Sequence, residues 1–268
     1  DKLPLGIKHP RYVYNGVVAG IGAYGNNMGI PTVNGAIYFD ESYVGNVVVY
    51  CGCVGILPKD SYVRATKSGD IILLVGGKTG RDGIHGVTFA SAELTEKSEE
   101  VSRPAVQIAN PIEEEKLKRA IIEVRDRRLG SGITDLGGGG LSSAIGERAH
   151  TANCGAHVQL DKVPLKYSGM APWEIYISES QERMLLSLPK GNLHEVLNIF
   201  DREDVEVTAI GRFTDNGILT IDYHGVKVAE IGIGFLFEPP TAKRTAKWKS
   251  PTYREPSFEE PEDLTSVV

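Results

Sequence analysis

The chain has 268 residues, of which 41% are apolar and 24% charged, with a formal net charge of −6. That length buries roughly three-quarters of the unfolded surface without disulfide staples, and the balance excludes a disordered or fibrous chain. The acidic charge speaks against nucleic-acid and anionic-membrane partners, the lack of about 18 consecutive apolar residues excludes a membrane-spanning helix, and three cysteines without a glycosylation sequon point to a reducing, cytoplasmic setting.

Residues 1–11 carry no initiating Met and no cationic-then-apolar leader, and read as part of something longer. Residues 12–27 place Val13, Val17, Ile21 and Tyr24 at helical spacing, with small residues between them. Segments 32–40 and 46–57 are rich in β-branched and aromatic residues and predict a hairpin of long strands turning at 41–45. A short apolar strand at 70–75 then runs into a glycine loop. The helix signal at 110–130 is the clearest in the chain. Asn110 caps, Pro111 opens the first turn, Glu113, Glu114 and Glu115 fill it, arginines close the last turn, and Gly130 stops it.

A short strand around Ile133 and a helix over 140–152 follow, with a short helix at 173–178, a strand at 182–188 and a helix at 193–200. Strands at 205–213 and 218–223 are joined by the Asn216-Gly217 turn. Five of the 14 prolines (Pro239, Pro240, Pro251, Pro256, Pro261) lie in the last stretch, which reads as a linker or wrapping tail. Helices and strands mix without a βαβ rhythm, so the fold class is α+β.

Glycine is over-represented, with 31 residues, and two glycine loops could carry chemistry. The first runs Gly76-Gly77-Lys78-Thr79-Gly80-Arg81-Asp82-Gly83-Ile84-His85-Gly86. Ile72 stands where a P-loop needs its first glycine, so that motif is rejected. What remains fits phosphate capture by Gly77, Lys78, Arg81 and His85, and equally a glycine turn with solvated cations. The second runs Asp135-Leu136-Gly137-Gly138-Gly139-Gly140 into a helix start. A helix N-terminus favours phosphate, and the nearby carboxylate could hold Mg²⁺. The alternative is a turn whose glycines serve geometry only, although four in a row are entropically costly without a ligand. By pattern alone Glu179-Ser180-Gln181-Glu182-Arg183 reads as a solvated connection and Gln107 as an exposed polar residue. The histidines lack metal-ligand spacing, and Cys51-x-Cys53 reads as a packing pair on one strand face.

Taken together, these stretches resemble the large synthetase subunit of the phosphoribosylformylglycinamidine synthase family, within the aminoimidazole ribonucleotide synthetase-like superfamily. The resemblance is carried by Gly16-Val17-Val18-Ala19-Gly20-Ile21, Tyr24-Gly25-Asn26, Pro31-Thr32-Val33-Asn34-Gly35 and Phe39-Asp40. It continues through Lys78-Thr79-Gly80-Arg81-Asp82-Gly83, Arg103-Pro104-Ala105-Val106-Gln107, Asp135-Leu136-Gly137, Leu160-Asp161-Lys162-Val163-Pro164 and Ser178-Glu179-Ser180-Gln181-Glu182-Arg183-Met184. Order and spacing hold up to the proline-rich tail. Relatives often have Met-Gly-Ala-Ala-Gly where this chain has Leu136-Gly137-Gly138-Gly139-Gly140.

The resemblance implies an ATP-dependent C–N ligase of purine biosynthesis. ATP phosphorylates the amide oxygen of formylglycinamide ribonucleotide, and ammonia drawn from glutamine displaces phosphate. It implies substrate contacts from Gln107, Glu179, Ser180 and Gln181, Mg²⁺ on Asp135, and no catalytic residue in this stretch, whose upstream histidine is missing. It also implies a glutaminase subunit and a small accessory subunit as partners. Residues 1–66 are then an incomplete α/β domain, 67–237 an α+β C-terminal domain and 238–268 a linker, and the isolated chain is expected to be inactive. Two alternatives stand beside it: another ATP-using synthetase of the superfamily, which would lack the Ser-Glu-Ser-Gln-Glu-Arg run, and a non-catalytic nucleotide-binding or assembly half.

Overall fold

The computed structural model describes residues 3–4, 6–45, 47–61, 64–84, 107–254 and 257. Its centre is a seven-stranded mixed sheet in the order β2-β4-β1-β5-β3-β6-β7. The strands are β1 (Ile71–Gly76), β2 (Gly132–Asp135), β3 (Gly155–Gln159), β4 (Arg183–Leu188), β5 (Val207–Thr214), β6 (Ile218–Tyr223) and β7 (Val226–Gly232). All neighbours run antiparallel except β3 and β6, which are parallel. The helices are α1 (Pro10–Asn27), α2 (Pro111–Asp126), α3 (Leu141–Thr151), α4 (Pro172–Ile177), α5 (Leu193–Arg202) and α6 (Ile233–Phe237).

β1 is central and buried almost throughout, as an unbroken Ile-Ile-Leu-Leu-Val run requires. Its alternate side chains feed two cores. Ile72 and Leu74 join Leu185, Val158, Phe213 and Ile221 beneath Leu141, Ile145 and Ala149 of α3 and Ile175 of α4. Leu73 and Val75 join Leu186 and Leu188 beneath Leu117 and Val124 of α2 and Ile199 and Phe200 of α5. Each fully buried aliphatic or aromatic side chain contributes about 1.5–3 kcal/mol relative to exposure, so the two layers hold the sheet from both sides.

The start of α2 is as the sequence predicts: Asn110 Oδ1 accepts the Glu113 N–H at 3.4 Å, and Pro111 follows. Its end differs. Arg128, not Gly130, takes the left-handed conformation (φ +54°), and the Leu129 N–H reaches back to the Val124 carbonyl at 3.1 Å. Two strands carry little sequence signal. β3 is built from small residues around His157. β7 pairs with β6 through a turn in which His224 and Gly225 both have positive φ, the twist a two-residue hairpin needs.

The hairpin expected at 32–40 and 46–57 is absent among the described residues. Their described residues are irregular, and between them lies a 3₁₀ turn, Glu41–Tyr43, which Asp40 caps through the Ser42 N–H at 2.9 Å. Val33 is 90% exposed, Tyr38 88% and Val54 99%, so no described element covers this apolar surface. A two-stranded ribbon is marginal in water without a layer to bury one face, and the β-branched content alone does not supply that layer. Cys51 and Cys53 are accordingly exposed, not packed on a strand face, while Cys154 is buried. The described part of the tail beyond α6 is exposed and irregular. Among the described residues no helix is long and apolar enough to cross a membrane.

Candidate functional site

Strand pairing brings three distant segments to one end of the sheet. Gly76, the last residue of β1, stands opposite Arg183, the first of β4, and Asp135, the last of β2, stands opposite Met184. The loops leaving β1 and β2 and the run entering β4 therefore meet. Two glycines make the approach possible. Gly76 and Gly140 both have positive φ, and a Cβ would overlap the Glu182 carbonyl oxygen at the first and the Ser178 carbonyl oxygen at the second.

Beneath the surface the segments are knitted by polar contacts. The Ser180 hydroxyl is fully buried, accepts the Gly80 N–H at 2.9 Å and donates to Asp82 Oδ2. Lys166 Nζ also reaches Asp82 Oδ2, at 2.6 Å, and the Asp82 carbonyl takes the Glu179 N–H at 2.9 Å. Burial pushes the Asp82 carboxyl upward, but hydrogen bonds from Lys166 and Ser180 and the Lys166 charge outweigh it and leave the group below the usual carboxylate range. Arg183 is only 3% exposed and donates to the carbonyls of Ser180 (2.6 Å) and Ser178 (2.8 Å) and to Thr79 Oγ1 (2.7 Å).

Above this layer lie the side chains that can meet a ligand. Glu179 is half-buried, its Oε1 accepting the Gly139 N–H at 3.0 Å, so the second glycine loop is tied to it. Gln181 is exposed and donates from Nε2 to the Glu179 carbonyl at 2.7 Å. Gln107 Oε1 accepts the Gln181 N–H at 2.8 Å, and Gln107 Nε2 donates to Glu182 Oε2 at 3.1 Å. Glu182 Oε1 in turn accepts from the Tyr24 hydroxyl of α1 and from the Asn110 N–H, each at 3.1 Å. Burial, with the Glu182 and Glu114 charges, pushes the Tyr24 phenol well up; burial, then the Glu182 charge, raises Glu114 against the opposing Lys118. The Tyr24 hydroxyl and the Gln107 amide thus both donate to the Glu182 carboxyl oxygens.

Of the residues singled out from the sequence, Gln107, Glu179, Ser180 and Gln181 are brought together, with Ser180 serving underneath as an anchor whose hydroxyl is already satisfied. Asp135 stands exposed at the end of β2 beside Gly137. Among the described residues no three His, Cys, Asp or Glu side chains group to hold a metal. Mg²⁺ characteristically takes only one or two carboxylates and completes its shell with water and phosphate, so a single accessible Asp135 fits such an ion as one ligand and not as a cage.

The first glycine loop does not act as a unit. Gly77 spends its N–H on the Glu182 carbonyl at 2.9 Å. Arg81 forms a bidentate pair with Glu174 (2.6 and 3.1 Å) and lies 5.2 Å over the Tyr167 ring. Lys78 lines an open cleft of about 480 Å³ with Asn110, Lys116, Asp204 and Glu206. His85 lies outside the described residues. The sequence pattern missed Asp82, Glu182 and Arg183. A charge opening an otherwise apolar strand, Arg183 before Met184-Leu185-Leu186, is the signal that could have found the last of them.

The family model for the AIR synthase related protein, C-terminal domain, matches residues 67–224. The chain is 48% identical over 244 residues to a phosphoribosylformylglycinamidine synthase subunit PurL of Picrophilus torridus, an alignment covering 90% of this chain and 33% of the relative. Among solved structures, a Thermotoga maritima PurL complexed with FGAR superposes with a TM-score of 0.76 at 32% identity, covering 90% of this chain and 40% of that one. A Thermotoga maritima PurL complexed with ATP gives 0.70 at 29% identity, covering 91% and 39%. The chain thus spans about a third of the length of the curated relatives it matches.

Proposed function

Since the chain belongs to the AIR synthase related family, carrying its C-terminal domain at residues 67–224, we propose that it is a segment of an ATP-dependent phosphoribosylformylglycinamidine synthase. The observation that carries this reading is the convergence of Gln107, Glu179 and Gln181 above the Ser180–Asp82 anchor, beside the loop that follows Asp135. In this reading formylglycinamide ribonucleotide binds against Glu179, Gln181 and Gln107. The Gln107 and Gln181 amides each offer donor and acceptor atoms to a substrate built of hydroxyls and amides, and the Glu179 carboxylate accepts from its hydroxyls.

ATP transfers a phosphoryl group to the substrate's amide oxygen, and ammonia displaces phosphate to give the amidine. Asp135 would hold Mg²⁺, which neutralises charge on the phosphate chain when bound. Asp135 itself positions one carboxylate oxygen pair at the open end of β2, next to the start of α3, where helix-terminal N–H groups favour anions. Residues 1–66 belong to an α/β domain completed elsewhere in the protein, 67–237 form the C-terminal domain, and 238–268 are a linker. The complete enzyme works in cytoplasmic purine biosynthesis with a glutaminase subunit that supplies ammonia and a small accessory subunit in the same complex, and this stretch alone does not turn over substrate.

Calorimetric titration of the full-length protein with formylglycinamide ribonucleotide tests the reading. Gln181→Ala is expected to weaken binding by about tenfold or more, as loss of a substrate hydrogen bond that leaves its partner unpaired does. Unchanged affinity would remove Gln181 from the site.

A further inference from the structure

Arg183 is a charge placed where the sheet expects an apolar residue. It opens β4, its backbone pairs with Gly76 of β1, and its side chain is buried under the loops. Burial lowers its pKa to about 10, against the opposing charge of Asp82, so the guanidinium is still a cation at neutral pH. No carboxylate touches it among the described residues. It donates instead to the Ser178 and Ser180 carbonyls and to Thr79 Oγ1, all within 2.8 Å.

Burying a guanidinium away from a counter-ion is costly, and it persists only where its donors are met by fixed acceptors. The acceptors here belong to two separate loops. Ser178 and Ser180 flank Glu179, and Ser180 immediately precedes Gln181. Thr79 belongs to the first glycine loop and is itself fixed to a third segment: its N–H donates to the Pro164 carbonyl and its carbonyl accepts the Lys166 N–H, each at 2.8 Å.

On the proposed reading of the site, we infer that Arg183 is a positioning residue for substrate recognition: its planar fork fixes the Ser178–Gln181 turn against Thr79 and so aims Glu179 and Gln181. Arg183 does not touch the substrate in this arrangement. It holds the carbonyls on either side of Glu179, which leaves that side chain and Gln181 facing outward while Ser180 turns inward to Asp82. Lysine retains the charge but offers a single point of donation on a flexible stem, so it cannot span both carbonyls and the threonine hydroxyl in one plane. None of the three acceptors lies in the loop that follows Asp135, so loss of the arrangement should act on recognition of the ribonucleotide more than on recognition of ATP.

The test uses the full-length protein and compares Arg183→Lys, Thr79→Val and Gln181→Ala by thermal melting and steady-state kinetics. Arg183→Lys is expected to fold and to raise KM for formylglycinamide ribonucleotide about tenfold, with KM for ATP within twofold of wild type. Thr79→Val, which removes one acceptor at nearly constant volume, is expected to raise the same KM about threefold and serves as the deciding variant if Arg183→Lys does not fold. A folded Arg183→Lys, or failing it a folded Thr79→Val, with both KM values unchanged while Gln181→Ala raises the ribonucleotide KM, overturns the inference and leaves the site assignment standing. An unchanged KM in Gln181→Ala overturns the site assignment, and the inference with it.

Discussion

The two glycine loops look alike in the sequence, each following an apolar strand and each offering glycines with a charged residue, yet the structure uses them in opposite ways. In the loop after β1 two charged groups are consumed, Asp82 by Ser180 and Lys166 and Arg81 by Glu174, while Lys78 stays exposed on an open cleft. In the loop after β2 the charge is left over, with Asp135 exposed and only the backbone tied, through the Gly139 N–H to Glu179. A glycine-rich loop therefore does not announce a ligand site by composition. What distinguishes the two is whether the side chains already have partners inside the fold. On the proposed reading the first loop is mainly scaffold, and the second is the one that meets the ligand.

The sharpest test of that contrast is Asp135→Asn in the full-length enzyme. Turnover is expected to fall by about a hundredfold or more, since removing one charge-stabilising group costs on that order. Thermal unfolding should barely move, within about 0.5 kcal/mol, as for an exposed residue with no side-chain hydrogen bond among the described residues. A large stability loss with activity per folded molecule intact would make the second loop scaffold as well. Gly140→Ala comes next. It places a Cβ at positive φ against the Ser178 carbonyl oxygen and should destabilise by roughly 2 kcal/mol or more, read by denaturant melts.

Asp82→Asn should cost about 1–3 kcal/mol by unpairing Lys166 and weakening the acceptor for Ser180. The same group sets a pH dependence. Its folded pKa lies below its unfolded value, so its contribution is present above the unfolded pKa and is lost as pH falls through the folded one. Stability of the wild type should decline below the ordinary carboxylate range, and Asp82→Asn should flatten that decline in melts taken across acidic pH. The smallest effect belongs to Arg81→Gln. Its pair with Glu174 is half-exposed, so Tm should shift by only about a degree, and a loss of substrate affinity without such a shift would return Arg81 to the phosphate-binding role its sequence suggested.

Local chemistry was legible where the residues themselves hold the answer. Asn110-Pro111 with three glutamates fixes the start of α2, and Asn216-Gly217 marks the turn between β5 and β6, although the two are not hairpin partners because β3 lies between them. Long-range consequences were not. Gln107 and Gln181 meet across 74 residues because α2 packs on β1 and β4 and the Asn110 N–H at its start bonds to Glu182, and neither glutamine shows this by itself. Family resemblance grouped them; pattern did not. The same limit explains the stretch at 32–57, where strand-forming residues such as Val48, Tyr50 and Ile56 stay exposed. Propensity describes what a chain does once a partner and a covering layer exist, and the described residues provide neither. Ser180 shows the converse, a polar residue in a polar run that the packing turns inward.

The most direct test of the account is a crystal structure of the full-length protein with formylglycinamide ribonucleotide bound. The account predicts hydrogen bonds to the substrate from the Gln107, Glu179 and Gln181 side chains, with Ser180 Oγ still on Asp82 and Arg183 still on Ser178, Ser180 and Thr79. A ribonucleotide seated away from the shared end of β1, β2 and β4, with those three side chains bonded only to one another, would contradict it.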